Sequence, residues 1–245
     1  MKHLNKIYRS NYQGENIITD LVHKNASWII TKEFIDNSVI NNQRVNQACV
    51  IGNGISRKDF DLKVVIDHTN HREKLQTYGC NALYRDHSPD FLVAAGKDSG
   101  MPEEIAASGY CADHIVYASA KHIQDFPDNF YLIPQDPDWN AGSMATYLAC
   151  FDGHKKVFLL GFDGGDTAGA NYNIYAGTPH YQNAREAHIA TMFFDVTMKK
   201  IFDVYHDVDF VRVMPSEYAS MPESWKYCVN VRQINFQQFV IEADL

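Results

Sequence analysis

Four short clusters in the 245-residue chain carry the residue types that bind nucleotides. The first is Gly52-Asn53-Gly54, which follows the apolar residues 49–51 and precedes Ser56. Glycine has no Cβ and tolerates positive φ, so backbone N–H groups in such a turn can approach a phosphate closely. The segment lacks the third glycine of the dinucleotide fingerprint and the Lys-Ser/Thr of the P-loop, so a plain turn after a strand explains it equally well.

Two of the other three clusters follow a predicted strand or open a predicted helix, and the third lies beside Gly79-Cys80. These three clusters are Asn81; Asn140, Gly142 and Ser143; and Gly161, Phe162 and Asp163. Asparagine offers donors and an acceptor to ribose hydroxyls and base edges, and a helix N-terminus can hold phosphate. Each of these residues alone is more often a turn former. Their joint placement favours a nucleotide pocket.

Asp163 and Asp166 are two carboxylates in a glycine-rich stretch after a predicted strand. Such a pair can hold Mg²⁺ on a diphosphate or orient a ligand hydroxyl, whereas Asp in a turn often bonds only its own backbone. We favour the ligand role for Asp163 and the turn role for Asp166.

Residues 164–183 contain glycine, asparagine and tyrosine without a clear period, which predicts a lid loop. In this loop Tyr175 and Tyr181 can stack on a base, bond a phosphate or simply pack the loop onto the body. His180 is a candidate general base, because an imidazole titrates near neutrality and can take a proton from an acceptor hydroxyl. His188 is a second candidate.

Apolar runs alternate with amphipathic segments along the rest of the chain. The predicted strands are 49–51, 64–66, 91–95, 114–118, 130–133, 157–160 and 210–213, and the predicted helices are 101–108, 143–151 and 184–205. This alternation predicts a doubly wound α/β fold with a mostly parallel, Rossmann-like sheet. Ligands of such sheets bind beyond the carboxyl ends of the strands, where strand order reverses, so the four clusters should converge there.

The composition of the chain limits its possible domain organisation, partners and location. Residues 1–47, which include a helix-like stretch at 17–23, are predicted to form an extension. This extension is predicted to pack on a main domain of residues 48–245. The net charge of -8 without a basic block argues against nucleic acid and anionic membrane partners. The five cysteines never have C-x-x-C spacing, which argues against a disulfide framework or thiolate zinc site. Without a run of about 18 apolar residues, we expect no membrane span and a cytoplasmic location. A homo-oligomer is left open.

The order of these motifs resembles that of the bacterial sialyltransferases of the Cst-II type and the related DUF115 or MptE-like proteins. The matching motifs are Gly52-Asn53-Gly54-x-Ser56, Cys80-Asn81, Ala141-Gly142-Ser143, the stretch 155–163, and His180-Tyr181. The resemblance spans roughly residues 48–217 and rests on the order and spacing of short motifs.

The resemblance implies a domain that binds a cytidine nucleotide-sugar without an obligatory metal. It would transfer the sugar, with inversion, to a hydroxyl of a glycan or small-molecule acceptor. The implied contacts are Asn53 and Asn81 with the phosphate and ribose, Gly142 and Ser143 with the phosphate or ribose, Gly161, Phe162 and Asp163 with the base and ribose, and Tyr175 and Tyr181 with the donor phosphate.

The sequence departs from the sialyltransferase pattern at Ala184, where those enzymes carry the histidine that acts as base, and at Ile55, where they carry proline. Either His180 or His188 substitutes for the base, or the chemistry has changed. A second interpretation follows the MptE-like proteins, which would transfer diphosphate from ATP with Mg²⁺ and carboxylates. A third is a non-catalytic nucleotide-binding protein, which the alanine at 184 favours.

Overall fold

The computed structural model describes residues 2–10, 16–24, 27–35, 45–66, 74–96, 100–133, 139–164, 173–181, 188–217 and 219–245, with side chains from residue 45 onward except at 188–192. The strands are β1 (Lys2–Ser10), β2 (Asn16–Lys24), β3 (Ser27–Ile35), β4 (Gln47–Ile51), β5 (Gln76–Cys80), β6 (Phe91–Ala94), β7 (Ile115–Ala118), β8 (Tyr131–Leu132), β9 (Lys156–Leu160), β10 (Asp209–Met214) and β11 (Val231–Asn235). The helices are α1 (Lys63–Ile66), α2 (Met101–Ala107), α3 (Ala120–Asp125), α4 (Ala141–Phe151), α5 (His188–Val204) and α6 (Phe236–Glu242).

Strands β4 to β11 form one eight-stranded sheet in which every neighbouring pair is parallel. The order across the sheet is β11-β10-β9-β4-β5-β6-β7-β8. The chain starts at β4 in the interior and builds outward to β8. It then returns through α4 to β9, beside β4, and builds the other half. Strand order therefore reverses between β4 and β9, and the predicted doubly wound α/β fold is confirmed.

Both faces of this sheet are covered by helices. Cys49 and Ile51 of β4 belong to the core shared with α2, α3 and α6, whereas Ala48 and Val50 belong to the core shared with α4 and α5. A strand that is buried on both faces favours apolar residues at successive positions, because both sides of the strand face a core. This preference explains why β4 reads as a continuous apolar run rather than as an alternating one.

The segment 64–66 was predicted as a strand, and this prediction was wrong, because it lies in helix α1. Its β-branched residues favour a strand, but the preceding Asp61 overrides them. The Asp61 carboxylate accepts a hydrogen bond from Lys63 N at 3.0 Å, and its carbonyl accepts one from Val64 N at 3.1 Å. These bonds start a helical turn.

The sequence analysis did not predict β5, although all five of its residues are buried. Its polar Thr77 is satisfied internally, since its N–H and its hydroxyl both donate to Asp90 Oδ2, at 2.9 and 2.8 Å. Gly79 is required by packing, because a Cβ there would lie 2.5 Å from the Leu83 side chain. A polar, glycine-containing strand is hard to recognise from hydrophobic pattern alone.

Strands β1 to β3 form a separate antiparallel sheet, and β1 lies next to β8. The stretch 17–23, predicted as helix-like, is part of β2 and pairs with both neighbouring strands. The division of the chain at residue 47 stays a prediction. Within the described ranges, no helix combines the length and the apolar character needed to cross a bilayer.

A buried polar network joins the start of the main sheet to the end of α4. Tyr78 OH donates to Asp152 Oδ2 at 2.6 Å and lies 3.0 Å from His154 Nε2, and His154 Nδ1 lies 2.9 Å from the carbonyl of Val45. All three side chains of this network are fully buried. Burial lowers the pKa of His154 from its ordinary 6.5 to about 4, so the ring is neutral in the folded protein at neutral pH.

The pKa of His154 predicts a pH-dependent stability. Between pH 6.5 and about 4 the unfolded chain binds a proton that the folded protein excludes, so the free energy of unfolding should fall as the pH falls through this window. The loss should approach about 3 kcal/mol at roughly 1.4 kcal/mol per pKa unit. Urea denaturation at several pH values should show a shallower dependence for His154→Gln than for the wild type. The exposed control His206→Gln should follow the wild type, and identical slopes for all three proteins would refute the assignment.

Candidate functional site

A cavity of about 240 Å³ opens at the carboxyl edge of the sheet, where β4 and β9 end side by side. This is the point at which strand order reverses, and ligands of α/β sheets bind at such points. The predicted site residues that line it are Gly52, Asn53, Gly54, Asn81, Asn140, Gly142, Gly161, Phe162, Asp163 and Tyr181. The lining residues that were not predicted as site residues are Cys80, Ala141, Gly164, Asn173 and Phe194. The structure thus brings together all four clusters, while their roles in binding stay predictions.

The loops after β4 and β9 approach each other so closely that glycine is required in both. A Cβ at Gly52 would lie 2.6 Å from the carbonyl oxygen of Gly161, and one at Gly54 would lie 2.5 Å from the same atom. Gly161 itself has a φ of 75°, in the left-handed region. The glycines were predicted to admit a ligand to the backbone. In the structure, the contact that excludes larger residues is the one between the two loops.

Arg57 holds the β4 loop. Its guanidinium is buried, with Nε donating to the carbonyl of Gly52 at 2.6 Å and Nη2 donating to Asn53 Oδ1 at 3.3 Å. In a trans peptide the carbonyl and the following N–H point in opposite directions, so the N–H of Asn53 points away from Arg57. None of the residues that the structure describes accepts a hydrogen bond from this N–H.

Arg212 of β10 holds the β9 loop in the same way. It is fully buried, and it donates to the carbonyl oxygens of Phe162, at 2.8 Å, and Asp163. The N–H groups of Asp163 and Gly164 therefore point away from the guanidinium, and they too have no acceptor in the described part of the chain. Sequence reasoning missed Arg212. The available signal was a single arginine inside an otherwise apolar strand.

The first turn of α4 forms the third wall. Asn140 is the N-cap and accepts a hydrogen bond from Ser143 N at 3.0 Å. The N–H groups of Ala141 and Gly142 have no acceptor among the residues described, as expected for a helix start, where the helix dipole adds partial positive charge. A Cβ at Gly142 would meet Phe194 at 3.5 Å and Phe162 at 3.8 Å, which are ordinary contacts. Packing alone does not require glycine there.

Two of the predicted residues, Ser143 and Ser56, lie outside the cavity wall. Ser143 is fully buried, and its hydroxyl lies 2.9 Å from that of Thr197, so it joins α4 to α5. Ser56 acts through its backbone, because its N–H donates to both carboxylate oxygens of Asp163 at 3.3 Å. The Ser56 hydroxyl is buried and has no hydrogen-bond partner among the described residues.

Tyr181 presents a phenol to the cavity. Its oxygen accepts hydrogen bonds from Asn53 Nδ2 at 3.1 Å and from Ala82 N at 3.4 Å, so its own proton is left to donate to a ligand. Burial raises the pKa of Tyr181 to about 12, which keeps it protonated at neutral pH. Asn81 Oδ1 accepts from Ala95 N at 3.0 Å, which leaves the Nδ2 group without an acceptor in the described ranges.

His180 and Tyr175 belong to the segment 173–181 but do not line the cavity. His180 Nε2 lies 3.4 Å from Glu104 Oε2 of α2. Tyr175 is buried, and its hydroxyl donates to Asp86 at 2.8 Å. The structure therefore does not bring the predicted base His180 to the cavity, and it gives Tyr175 a packing role.

The remaining predictions for the lid concern residues that lie partly outside the described ranges. His188 is the first residue of α5, and its side chain is not described. Asp166 and Ala184 lie outside the described ranges. Besides the contacts of Tyr175, His180 and Tyr181, further hydrogen bonds attach the described segment 173–181 to the body. Ile174 N donates to the carbonyl of Asn53 at 2.8 Å, and Arg85 donates to Thr178 Oγ1 at 2.8 Å.

Charged groups are scarce in the described wall of the cavity. Asp163 is its one carboxylate, and it contains no lysine, arginine or histidine. Burial raises the pKa of the lining Cys80 to about 12, so this thiol is neither a nucleophile nor a metal ligand at neutral pH. The described residues hold no group of three or more His, Cys, Asp or Glu suited to a metal ion. The absence of an obligatory metal stays a prediction.

No protein-family model and no curated protein matches the chain, so the predicted resemblance to DUF115 or MptE-like proteins gains no support there. The solved structures that are similar to it include three from Campylobacter jejuni. These three are the monofunctional alpha-2,3-sialyltransferase Cst-I (TM-score 0.49, 12% identity, covering 79% of this chain and 84% of that one), the sialyltransferase CstII with cytidine-5'-monophosphate (0.41, 11%, 77% and 88%), and an apo alpha-2,3-sialyltransferase (0.41, 13%, 81% and 86%). At these values we draw nothing about function from the similarity.

Gly54 lies where the two loops cross, and Gly142 lies at the start of α4. Substitution by alanine should therefore affect stability differently at these two positions. Gly54→Ala places a methyl group 2.5 Å from a backbone oxygen and should lower the free energy of unfolding by about 1–3 kcal/mol. Gly142→Ala meets only ordinary contacts and should leave stability unchanged or raise it by up to about 1 kcal/mol, since alanine favours a helix. Urea denaturation of both variants checks this, and an equal loss at both positions would contradict the assigned geometry.

Proposed function

We propose that the chain is a glycosyltransferase that binds a nucleotide-sugar donor, a CMP-linked sugar, and transfers the sugar with inversion to an acceptor hydroxyl. The observation that carries the proposal is that residues of the β4 loop, the β9 loop and the start of α4 line one cavity and have N–H groups without an acceptor among the described residues. Oriented N–H groups of this kind suit the phosphate of a nucleotide.

In this proposal the phosphate is the leaving group, and neutral donors hold it. The N–H groups of Asn53 and Gly142, the amide of Asn81 and the hydroxyl of Tyr181 belong to residues that line the cavity. Negative charge grows on the phosphate as its bond to the sugar breaks. Donors that are already oriented stabilise that charge without further reorganisation, which lowers the barrier.

The nucleoside would lie along the β9 side of the cavity. The Asp163 carboxylate, which the Ser56 N–H orients, would accept hydrogen bonds from ribose hydroxyls. The rings of Phe162 and Phe194, with centroids 5.7 Å apart, both line the cavity next to Gly142 and would offer apolar surface to the base. The acceptor would be a glycan or a small molecule.

The acceptor hydroxyl needs a base, and we propose His188 for this role. His180 faces α2, and Asp163 is assigned to the ribose. His188 opens α5 six residues before Phe194, a cavity residue, and this separation corresponds to about 9 Å along a helix. The base would accept the hydroxyl proton while the oxygen attacks the anomeric carbon and the bond to the phosphate breaks.

One observation favours a non-catalytic nucleotide-binding protein as the second candidate. None of the residues described in the cavity wall carries an imidazole. A diphosphokinase that uses ATP and Mg²⁺ is less well supported, because Asp163 is the one carboxylate in the described wall. These candidates differ in the ligand that they bind and in whether they turn it over.

Thermal denaturation distinguishes the candidate ligands. CMP should raise the melting temperature in the presence of EDTA, because binding to the native state contributes about 2.7 kcal/mol at a hundred times the dissociation constant. The Gly142→Ala variant tests the position of the ligand: it should fold stably but gain less from CMP, since its methyl group would lie in the cavity wall beside the helix start. Stabilisation by ATP with Mg²⁺ and not by CMP would contradict the proposal.

Two histidine variants separate the proposed transferase from a binding protein. His188→Ala should lower the rate of sugar transfer or donor hydrolysis by about 100-fold or more while leaving CMP affinity nearly unchanged. His180→Ala should alter the rate by less than about tenfold, because its ring is engaged with Glu104. Steady-state kinetics and CMP titrations check both. A wild type that binds CMP but turns over no CMP-sugar would favour the non-catalytic candidate.

A further inference from the structure

Two buried arginines flank the cavity without a carboxylate partner in the described part of the chain. Arg57 is 5% exposed and Arg212 is 0% exposed, and neither forms an ion pair with any residue that the structure describes. Their hydrogen bonds go to neutral groups. Arg57 binds the carbonyl of Gly52 and the amide of Asn53, and Arg212 binds four oxygens: the carbonyls of Phe162, Asp163 and Ser220, and Oε1 of Gln233.

Such an arrangement is costly for the isolated protein. A buried cation loses its hydration, and an ion pair normally offsets that loss. Burial lowers the pKa of Arg212 to about 10, although the charges of Asp163 and Asp195 act in the opposite direction. The guanidinium therefore still carries its charge at neutral pH. Neutral donors could hold the same carbonyl groups, so hydrogen bonding alone does not explain two full charges.

The position of these charges suggests their purpose. Each guanidinium holds a carbonyl whose peptide presents its N–H in the opposite direction, at residues that line the cavity. A cation bound to the carbonyl polarises that peptide and makes its N–H a stronger donor. The described wall has no cationic side chain of its own. The positive charge thus lies one peptide unit behind the surface that a ligand would touch.

We propose that Arg57 and Arg212 act as the counter-charge for the phosphate of the bound nucleotide, transmitted through the peptide units after Gly52, Phe162 and Asp163. They are positioning residues, because neither lines the cavity. This inference rests on the proposed function in taking the ligand to be a nucleotide, and it adds where the positive charge for the phosphate comes from.

The test compares a charged and an uncharged ligand. Isothermal titration gives the affinities of CMP and of cytidine, which lacks the phosphate, for the wild type and for Arg57→Met and Arg212→Met. Each substitution should lower the ratio of CMP affinity to cytidine affinity by about tenfold or more, since the charge acts in a partly buried, low-dielectric region. Cytidine affinity should change by less than about threefold. A larger loss of cytidine affinity would show that the substitution had damaged the site as a whole.

Lysine variants separate charge from shape. Arg57→Lys and Arg212→Lys keep the charge but lose the planar fork, so they should keep most of the ratio of CMP affinity to cytidine affinity. This measurement remains possible even if a methionine variant fails to fold. Arg232→Met is the matched control, because Arg232 lies at the opposite, amino end of β11 and pairs with Asp209 and Glu242. It should leave the ratio unchanged.

The outcomes distinguish this inference from the proposed function. Two results would overturn the counter-charge while the proposed function stands, provided that CMP binds. In the first, the methionine variants keep the wild-type ratio of CMP affinity to cytidine affinity. In the second, the lysine variants lose that ratio as fully as the methionine variants do. If the wild type binds neither CMP nor cytidine, inorganic pyrophosphate is the probe. Pyrophosphate binding that is lost in the methionine variants supports the counter-charge and refutes the nucleotide, and no pyrophosphate binding refutes both.

Discussion

The structure depends on the close crossing of the loops that follow β4 and β9. These are the two strands between which strand order reverses, so their loops must separate in opposite directions from adjacent starting points. Gly52, Gly54 and Gly161 make the crossing sterically allowed, because any Cβ there would meet backbone atoms at less than 3.0 Å. Arg57 and Arg212 then fix the peptide orientations on each side.

This constraint produces the chemical character of the site. Carbonyl groups that are held by buried guanidinium groups leave N–H groups for the cavity, and the start of α4 adds two more. The resulting surface is rich in neutral donors and poor in charged side chains. Such a surface suits a phosphate group that must be held while charge develops on it, which is the requirement of a nucleotide leaving group.

The sequence predicted the convergence of the site because the alternation of strands and helices predicts a parallel sheet. Parallel strands that alternate with helices place their carboxyl ends at one edge, so Asn53, Asn81, Gly142 and Asp163 could be expected there before any coordinates. The same reasoning could not give the purpose of the glycines, since the loop that Gly54 meets lies more than a hundred residues away in sequence. Local patterns do not contain such long-range contacts.

Other features were beyond sequence reasoning for similar reasons. The one signal for Arg212, a single arginine in an otherwise apolar strand, does not distinguish a structural cation from a solvent-exposed one. The direction of His180 depends on α2, which lies far from it along the chain. In β5, Thr77 is buried with hydrogen bonds to Asp90 of a neighbouring loop, so the hydrophobic pattern failed there.

A crystal structure of the protein soaked with CMP tests the central claim most directly. The account predicts the phosphate between the β4 loop and the start of α4, with its oxygens at about 2.7–3.2 Å from backbone N–H groups that include those of Asn53 and Gly142. It also predicts ribose hydroxyls on Asp163. A phosphate held by lysine or arginine side chains elsewhere on the surface, with the cavity unoccupied, would contradict it.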